Sequence, residues 1–563
     1  MPAVAAADRP PTLHDVARRA GVHPATVSRA LTKPDMVAAG TRSIVLDAVA
    51  AVGFVPNRSA RQLVSGRTDA IGVIVPDITN PYFAAIVQVK RLTTPADLRA
   101  RADHLGIDLP VDDTVEVGGP LAQPLTVTDG SAGALTVGNR WSILPMEGWD
   151  GTPEGLPTDL VHRRWARFGA SGAKLIWGGE AVAVEPSARA NPHQLAIVPG
   201  AGPALADLRA TLVDAHAQAF GGTDDLLVGL QLTHSGRWSR PTGTPAPRTA
   251  AAHPVLDGRV GATDTALLSD DELDHLARRY VDAAVIAADA GFAFVDVKHC
   301  HGYLLHELLG ATARPGRYGG PLDRRLRFLA EVVDAIRAAR PGLAVGVRLS
   351  AYDTWVHGPG PDGRGRPVEA PDRPRPFGAD EAGDPELTEV HAVLDRFREL
   401  GIGLVCVTAG SPYYNPHIQR PAYFPPSDGY APPNDPLVDV ARLLAVAAEL
   451  AHEHPDVAVV GSGYSYLQDH AAHVAQAVLR RGDAASIGLG RMALSYPTLP
   501  ADVLAGRPLD RRAVCRTFSD CTTAPRHGLV SGCYPLDDFY KDRPERIELA
   551  AIKRRTRTNV RST

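Results

Sequence analysis

The chain has 563 residues, 44% of them hydrophobic and 22% charged, a composition that fits a soluble globular protein of more than one domain. No apolar run reaches membrane-spanning length and the opening MPAVAAADRPP lacks the order of a secretory signal, so a cytoplasmic protein with no membrane partner is expected. Five cysteines, none before Cys300, argue against a disulfide framework, and the net charge of −4 is unevenly split: residues 1–68 hold nine Lys/Arg against four Asp, a basic head on an acidic body.

In PTLHDVARRAGVHPATVSRALTKPD the apolar Leu13, Val16, Ala17 and Ala20 recur at helical spacing, Gly21 ends the run, and a second helix starts around Pro24. Two short helices joined by a glycine turn form a helix-turn-helix, whose second helix can enter a major groove. A third amphipathic run, RSIVLDAVAAVG, would close a small all-α core. With FVPNRSARQLVSGRTDAIGVIVPDITNPYF behind it, the segment resembles the head of a lactose-repressor-type regulator, helix-turn-helix followed by hinge helix, over residues 11–87. The resemblance implies that Pro24, Ala25 and Arg29 face bases, Thr26 and Ser28 contact phosphate, Asn57 opens the hinge, and Leu63 wedges into the minor groove. DNA is therefore an expected partner of residues 11–68. Residues 69–88 match only the first strand of that family's effector domain and read as a truncated remnant.

From residue 140 onward short apolar runs alternate with amphipathic helical stretches. The runs are WSILPM, AKLIW, LLVGLQL, FAFVDV, AVGVRL, GLVCVT, VAVV and ASIGLG. Eight strands separated by helices predict an α/β fold, a (β/α)8 TIM barrel with its site at the carboxyl ends of the strands. It is expected to span residues 89–540 with a C-terminal extension, followed by a basic tail at 541–563.

The fourth run ends in FVDVKHCHGYLLHELLG, which places Lys298, His299, His301 and Tyr303 within six residues at the mouth of a strand. Other strand ends carry LPMEGWDG, GGEAVAVEPSAR, QLTHSGR, RLSAYD, GSG and GLGR. Together with YGGPLDRRLRFLAEVVDAI, this set resembles the Old Yellow Enzyme family of FMN-dependent ene-reductases over about residues 90–540.

That resemblance implies FMN as cofactor, NAD(P)H as reductant and a small unsaturated carbonyl compound as acceptor. It assigns Gly461, Ser462, Gly463, Gly490 and Arg491 to the flavin phosphate, where glycine admits backbone N–H donors and arginine supplies paired ones. Gln231 would bond the pyrimidine edge, Arg348 would place positive charge near N1, and Pro145, Met146 and Ala181 would give backbone contacts to the ring. Lys298 and His301 would hold the substrate's carbonyl oxygen, and Tyr303 would protonate its α-carbon. Two residues depart from the family pattern: Lys298 stands where a histidine is usual, and Glu147 where a threonine or cysteine donates to the flavin. Facing one cavity, they could compensate as an ion pair. His299, on the alternate face of the strand, and His306, on the following helix, read as structural.

The tail CRTFSDCTTAPRHGLVSGC resembles the cluster-binding segment of larger ene-reductases, but Cys515, Cys521 and Cys533 fall one short of four ligands. Neither an iron–sulfur cluster nor another metal is expected, and too few residues follow Arg491 for appended nucleotide-binding domains. Two long Pro/Gly-rich loops after strands five and six read as lids, with the tyrosines and His417 of the second placed to touch substrate. Two alternatives to an enzyme stand beside it. One is a DNA-binding transcription regulator that uses the barrel as a redox or ligand sensor; the other is an accidental gene fusion with a vestigial head.

Overall fold

The computed structural model describes residues 12–32, 36–52, 86–130 and 132–562, with side chains up to Arg555. It divides into two units, residues 1–84 and 85–563, each of which is described by itself.

Among the described residues the first unit has three helices: α1 (Leu13–Ala20), α2 (Pro24–Thr32) and α3 (Ala39–Val52). Thr12 starts α1 as a capping residue, its backbone N–H donating to Asp15 Oδ2 at 2.9 Å. Gly21 stops the helix with φ 64, the left-handed conformation that costs glycine least. Val16 and Ala17, Val27 and Ala30, and Val45 and Ala48 form the buried centre. The three-residue interval from Val27 to Ala30 turns the other side of α2 outward, so Ala25, Ser28 and Arg29 are exposed while Pro24 and Thr26 are half-buried. Asn57, Leu63 and the 69–85 stretch lie outside the described residues.

In the second unit a helix over Pro95–Leu105 precedes an antiparallel hairpin, β1 (Leu125–Asp129) and β2 (Gly133–Val137). The strands β3 (Trp141–Ile143), β4 (Leu175–Ile176), β5 (Ala181–Ala183), β6 (Leu227–Thr233), β7 (Phe294–Val297) and β8 (Ala344–Tyr352) follow. A small hairpin, β9 (His357–Pro359) and β10 (Gly365–Pro367), precedes β11 (Leu404–Ala409), β12 (Ala458–Gly461) and β13 (Ser486–Leu489). β3, β4, β6, β7, β8, β11, β12 and β13 pair in that order, all parallel, and β13 returns to β3, closing an eight-stranded barrel. All eight predicted runs supply one strand each. The second continues beyond β4 as β5, which also pairs with β6.

Alternation along each strand sorts side chains between two cores. Leu175, Trp177, Phe294, Leu404 and Val460 pack with Leu125, Val127 and Val137 of the first hairpin as one cluster. Val295, Val297, Val345 and Val347 pack instead in the cluster that includes the surrounding helices. One end of the barrel is tied to β1, through the bond from the Val345 N–H to Asp129. The chemistry sits at the carboxyl ends of the strands.

Candidate active site

The end of β7 is a chain reversal built from two left-handed residues, His301 (φ 68) and Gly302 (φ 72). Glycine is required at the second, because a Cβ there would lie 2.8 Å from both Ser411 Oγ and the Tyr414 ring. The reversal is held from neighbouring strands: the His301 N–H donates to Ser350 Oγ at 3.1 Å, and Ser411 Oγ donates to the His301 carbonyl at 2.8 Å. It sends Lys298, His301 and Tyr303 toward one cleft of about 1080 Å³ at the barrel mouth.

Of the residues singled out in the sequence, Pro145, Met146, Glu147, Gln231, Lys298, His301, Tyr303, Arg348, Ser462, Gly463, Gly490 and Arg491 line this cleft. Ala181 and Gly461 do not. Ala181 is buried in β5, where its carbonyl accepts from Gln194 Nε2 at 3.0 Å, and Gly461 lies inside β12, one position before the lining starts. His299 is buried on the alternate face, its Nδ1 2.7 Å from the Val297 carbonyl. His306 is also buried, with Nδ1 accepting from the Gly302 N–H at 2.8 Å.

The two unusual residues meet. Lys298 Nζ donates to Glu147 Oε1 at 2.7 Å and lies 4.1 Å from the Tyr303 ring centroid. Glu147 Oε2 also accepts from Trp149 Nε1 at 3.1 Å and, at 3.4 Å, from the Tyr303 hydroxyl. The Tyr303 hydroxyl in turn lies 3.1 Å from that of Tyr413, whose ring stacks on Trp238 with centroids 4.3 Å apart. Burial pushes the Tyr303 phenol well above its usual range, with Glu147 and Tyr413 adding to the effect, and pushes Tyr413 up to about 12. Burial, then the charges of Arg348 and Lys298, hold the His301 imidazolium well below its usual range. The site therefore presents a neutral imidazole and protonated phenols at neutral pH.

Sequence reasoning missed several supports. Asp296, fully buried one position inside the strand end, accepts from Gln231 Nε2 and Trp177 Nε1 at 2.6 Å each and from the Arg348 N–H at 2.8 Å. It fixes two of the predicted flavin-binding residues at once. An aspartate in an otherwise apolar strand, FVDV, was the signal available. Gln419, whose amide nitrogen lies 3.0 Å from His301 Nε2, and Arg420 come from the loop after β11. Cys521, Thr522, Pro525 and Arg526 come from the C-terminal segment.

The two long loops behave differently. Tyr413 lines the cleft, but Tyr414 turns to Asp353, its hydroxyl donating at 2.6 Å, and His417 is buried against Tyr430 at 2.8 Å. The loop after β8 lines a second cavity of about 910 Å³ with Trp355, Arg373 and Phe377, and none of its residues from 356 to 386 lines the cleft.

At the ends of β12 and β13, Gly463 adopts φ 98 and Gly490 places its Cα so that a Cβ would lie 3.4 Å from Met146 Sδ. Beside them Arg491 donates Nη2 to the Pro421 carbonyl at 2.9 Å, while its buried Nη1 has no hydrogen-bond partner among the described residues. An orphaned guanidinium nitrogen beside two glycines fits an anion, and flavin phosphate satisfies that requirement. Among the described residues no group of three His, Cys, Asp or Glu side chains is arranged to hold a metal ion.

Residues 131–361 match the NADH:flavin oxidoreductase / NADH oxidase family, and residues 12–57 match the bacterial regulatory proteins of the lacI family. The chain is 27% identical over 244 residues to an NADPH dehydrogenase of Bacillus subtilis (strain 168), covering 41% of this chain and 64% of that protein. It is 47% identical over 77 residues to the HTH-type transcriptional regulator RegA of Clostridium saccharobutylicum, covering 14% of this chain and 23% of that one. The chain thus spans less than two thirds of either relative. Among solved structures, histamine dehydrogenase from Rhizobium sp. 4-9 shares the fold with a TM-score of 0.54 at 19% identity, covering 75% of this chain and 53% of that one. Over residues 131–361 the barrel is thus similar to the NADH:flavin oxidoreductase / NADH oxidase family, and over residues 12–57 the head is similar to the lacI family of bacterial regulatory proteins.

Proposed function

We propose that the barrel is an FMN-dependent oxidoreductase that takes hydride from NAD(P)H and reduces the double bond of an α,β-unsaturated carbonyl compound. The observation that carries this reading is the convergence of Lys298, His301 and Tyr303 on the cleft that also holds Gly463, Gly490 and Arg491. Arg491 and the two glycines would hold the FMN phosphate, and Gln231 and Arg348, both fixed by Asp296, the pyrimidine side of its ring. FMN, when bound, supplies a hydride carrier between the nicotinamide and the acceptor's β-carbon.

The chain's own residues do the rest. Lys298 and His301 bind the carbonyl oxygen and oppose the negative charge that grows on it, the lysine as a cation and the histidine as a neutral partner. Tyr303 carries the proton that completes the alkane at the α-carbon, and its raised pKa keeps that proton in place until the acceptor needs it. Tyr413, 3.1 Å behind it, can return a proton to the spent phenolate. Glu147 neutralises Lys298 when no substrate is present, so substrate entry exchanges one partner of the lysine for another.

The head, residues 11–68, binds DNA through the outward face of α2, which presents Ala25, Ser28 and Arg29. Residues 69–88 form the junction, and residues 89–540 the catalytic unit. The enzymatic reading is tested by anaerobic titration of the purified chain. Its flavin absorbance should bleach with NADPH or NADH and return on addition of 2-cyclohexenone. A flavin that bleaches but is never reoxidised by an enone would leave an NAD(P)H oxidase and remove the alkene step.

A further inference from the structure

Five cations line the cleft, Lys298, Arg348, Arg420, Arg491 and Arg526, against one carboxylate, Glu147. Two of them are neutralised locally: Lys298 by Glu147, and Arg526 by Asp428, to which its Nη1 donates at 2.7 and 2.6 Å. Arg348 and Arg491 are those that a bound flavin would engage. Arg420 is left over. Its guanidinium donates only to the neutral hydroxyls of Thr522 and, at 3.4 Å, Ser519, and no acidic side chain pairs with it among the described residues. Burial and the neighbouring Arg491 lower its pKa to about 10, so among the described residues the cost of its charge is only partly offset.

Arg420 also lines the same cleft as Lys298, His301 and Tyr303. It follows directly on Gln419, whose amide lies 3.0 Å from His301 Nε2, and consecutive Cα atoms are only about 3.8 Å apart. A substrate whose carbonyl oxygen rests on His301 therefore shares the cleft with this guanidinium. Guanidinium groups recognise carboxylates through paired N–H donors, and such charge-assisted bonds are worth roughly twice neutral ones.

Resting on the ene-reductase reading above, the geometry points to an acceptor that itself carries a carboxylate, with the enone carbonyl on Lys298 and His301 and the carboxylate on Arg420. The competing source of the same anionic chemistry is the FMN phosphate, which Arg420 could share with Arg491.

The test compares (E)-4-oxopent-2-enoate with its methyl ester, a pair that differs by the negative charge and one methyl group, using the full chain with FMN bound. Wild type should prefer the acid. Arg420→Met should lower kcat/KM for the acid by on the order of a hundredfold and for the ester by less than about threefold, with FMN retention unchanged. Arg420→Lys should recover part of the loss for the acid only. Equal losses for acid and ester would overturn the inference, and loss of FMN from Arg420→Met would assign the residue to the cofactor instead. The saturated product 4-oxopentanoate gives a readout without turnover: it should bind wild type, measured by calorimetry, and bind Arg420→Met at least about tenfold more weakly. If wild type reduces neither enone, the ene-reductase reading fails, whereas unchanged binding of 4-oxopentanoate to the variant overturns the carboxylate site alone.

Discussion

Lys298 Nζ donates to Glu147 Oε1 at 2.7 Å, joining the end of β7 to the loop after β3 across the mouth of the barrel. The lysine side chain is 1% exposed and the glutamate 19%, so the pair is screened by solvent on one side only. Removing one partner leaves the other charge poorly solvated. Glu147→Gln should destabilise the protein by about 2 kcal/mol, and Lys298→Met by a similar amount, while the double variant should cost less than their sum. Urea unfolding of the four proteins measures the coupling. Additive losses would mean that the two residues act independently.

Tyr303→Phe removes the proton that the acceptor's α-carbon requires but no contact needed by the nicotinamide. Reoxidation of the reduced flavin by an enone should slow by about 10²-fold or more, with reduction by NAD(P)H within about threefold of wild type. Tyr413→Phe should slow reoxidation by a smaller factor, because the Tyr303 hydroxyl remains. Stopped-flow measurement of both half-reactions separates these roles. Equal slowing of both by Tyr303→Phe would show that the residue positions the cofactor.

Three buried or half-buried histidines set an acid limit on stability. Burial lowers His234 to about 3 and His253 and His299 to about 4, against about 6.5 in an unfolded chain. Between those values the unfolded state binds more protons than the folded one, so stability is fully present above about pH 6.5 and is lost as pH falls toward 4. The urea midpoint should drop steadily over that window, and His299→Gln should flatten the slope. A slope unchanged by that substitution would show that His299 does not titrate differently on unfolding.

Binding of the head to DNA should depend strongly on salt, since phosphate contacts release counterions and contribute a slope near −0.9 each in log K against log salt. Arg29, exposed on α2, is expected to make one such contact or a base contact. Fluorescence anisotropy with Arg29→Ala distinguishes them: a phosphate contact lowers affinity for all sequences and reduces the slope by about one, whereas a base contact lowers only the specific affinity. No change for any sequence would remove Arg29 from the interface.

Much of this architecture is legible in the sequence because barrel strands announce themselves twice, by a short apolar run and by chemistry at its end. VDVKHCHGY does both, and alternation alone separates Lys298, which reaches the cleft, from His299, which does not. The head is legible for a similar reason, since Gly21 and the spacing of Val16, Ala17, Val27 and Ala30 are local signals. What stays hidden depends on long-range approach. Nothing local in IQRPAYF indicates that Gln419 meets His301, 118 positions away, or that Arg420 meets Thr522, 102 positions away. The β1–β2 hairpin at the other end of the barrel and the C-terminal helix Asp520–Arg526 are equally non-local. In the AVAVEPSAR motif, Ala181 lies within β5, where its carbonyl accepts from Gln194.

The most direct measurement is FMN binding by the purified chain, followed as quenching of flavin fluorescence, in wild type and in Arg491→Ala. Wild type should take up stoichiometric FMN, and Arg491→Ala, which removes the guanidinium whose Nη1 has no partner among the described residues, should weaken binding by on the order of tenfold to a hundredfold. A folded wild-type protein that binds no FMN, or an Arg491→Ala variant that binds it as tightly as wild type, would contradict the placement of a flavin in this cleft.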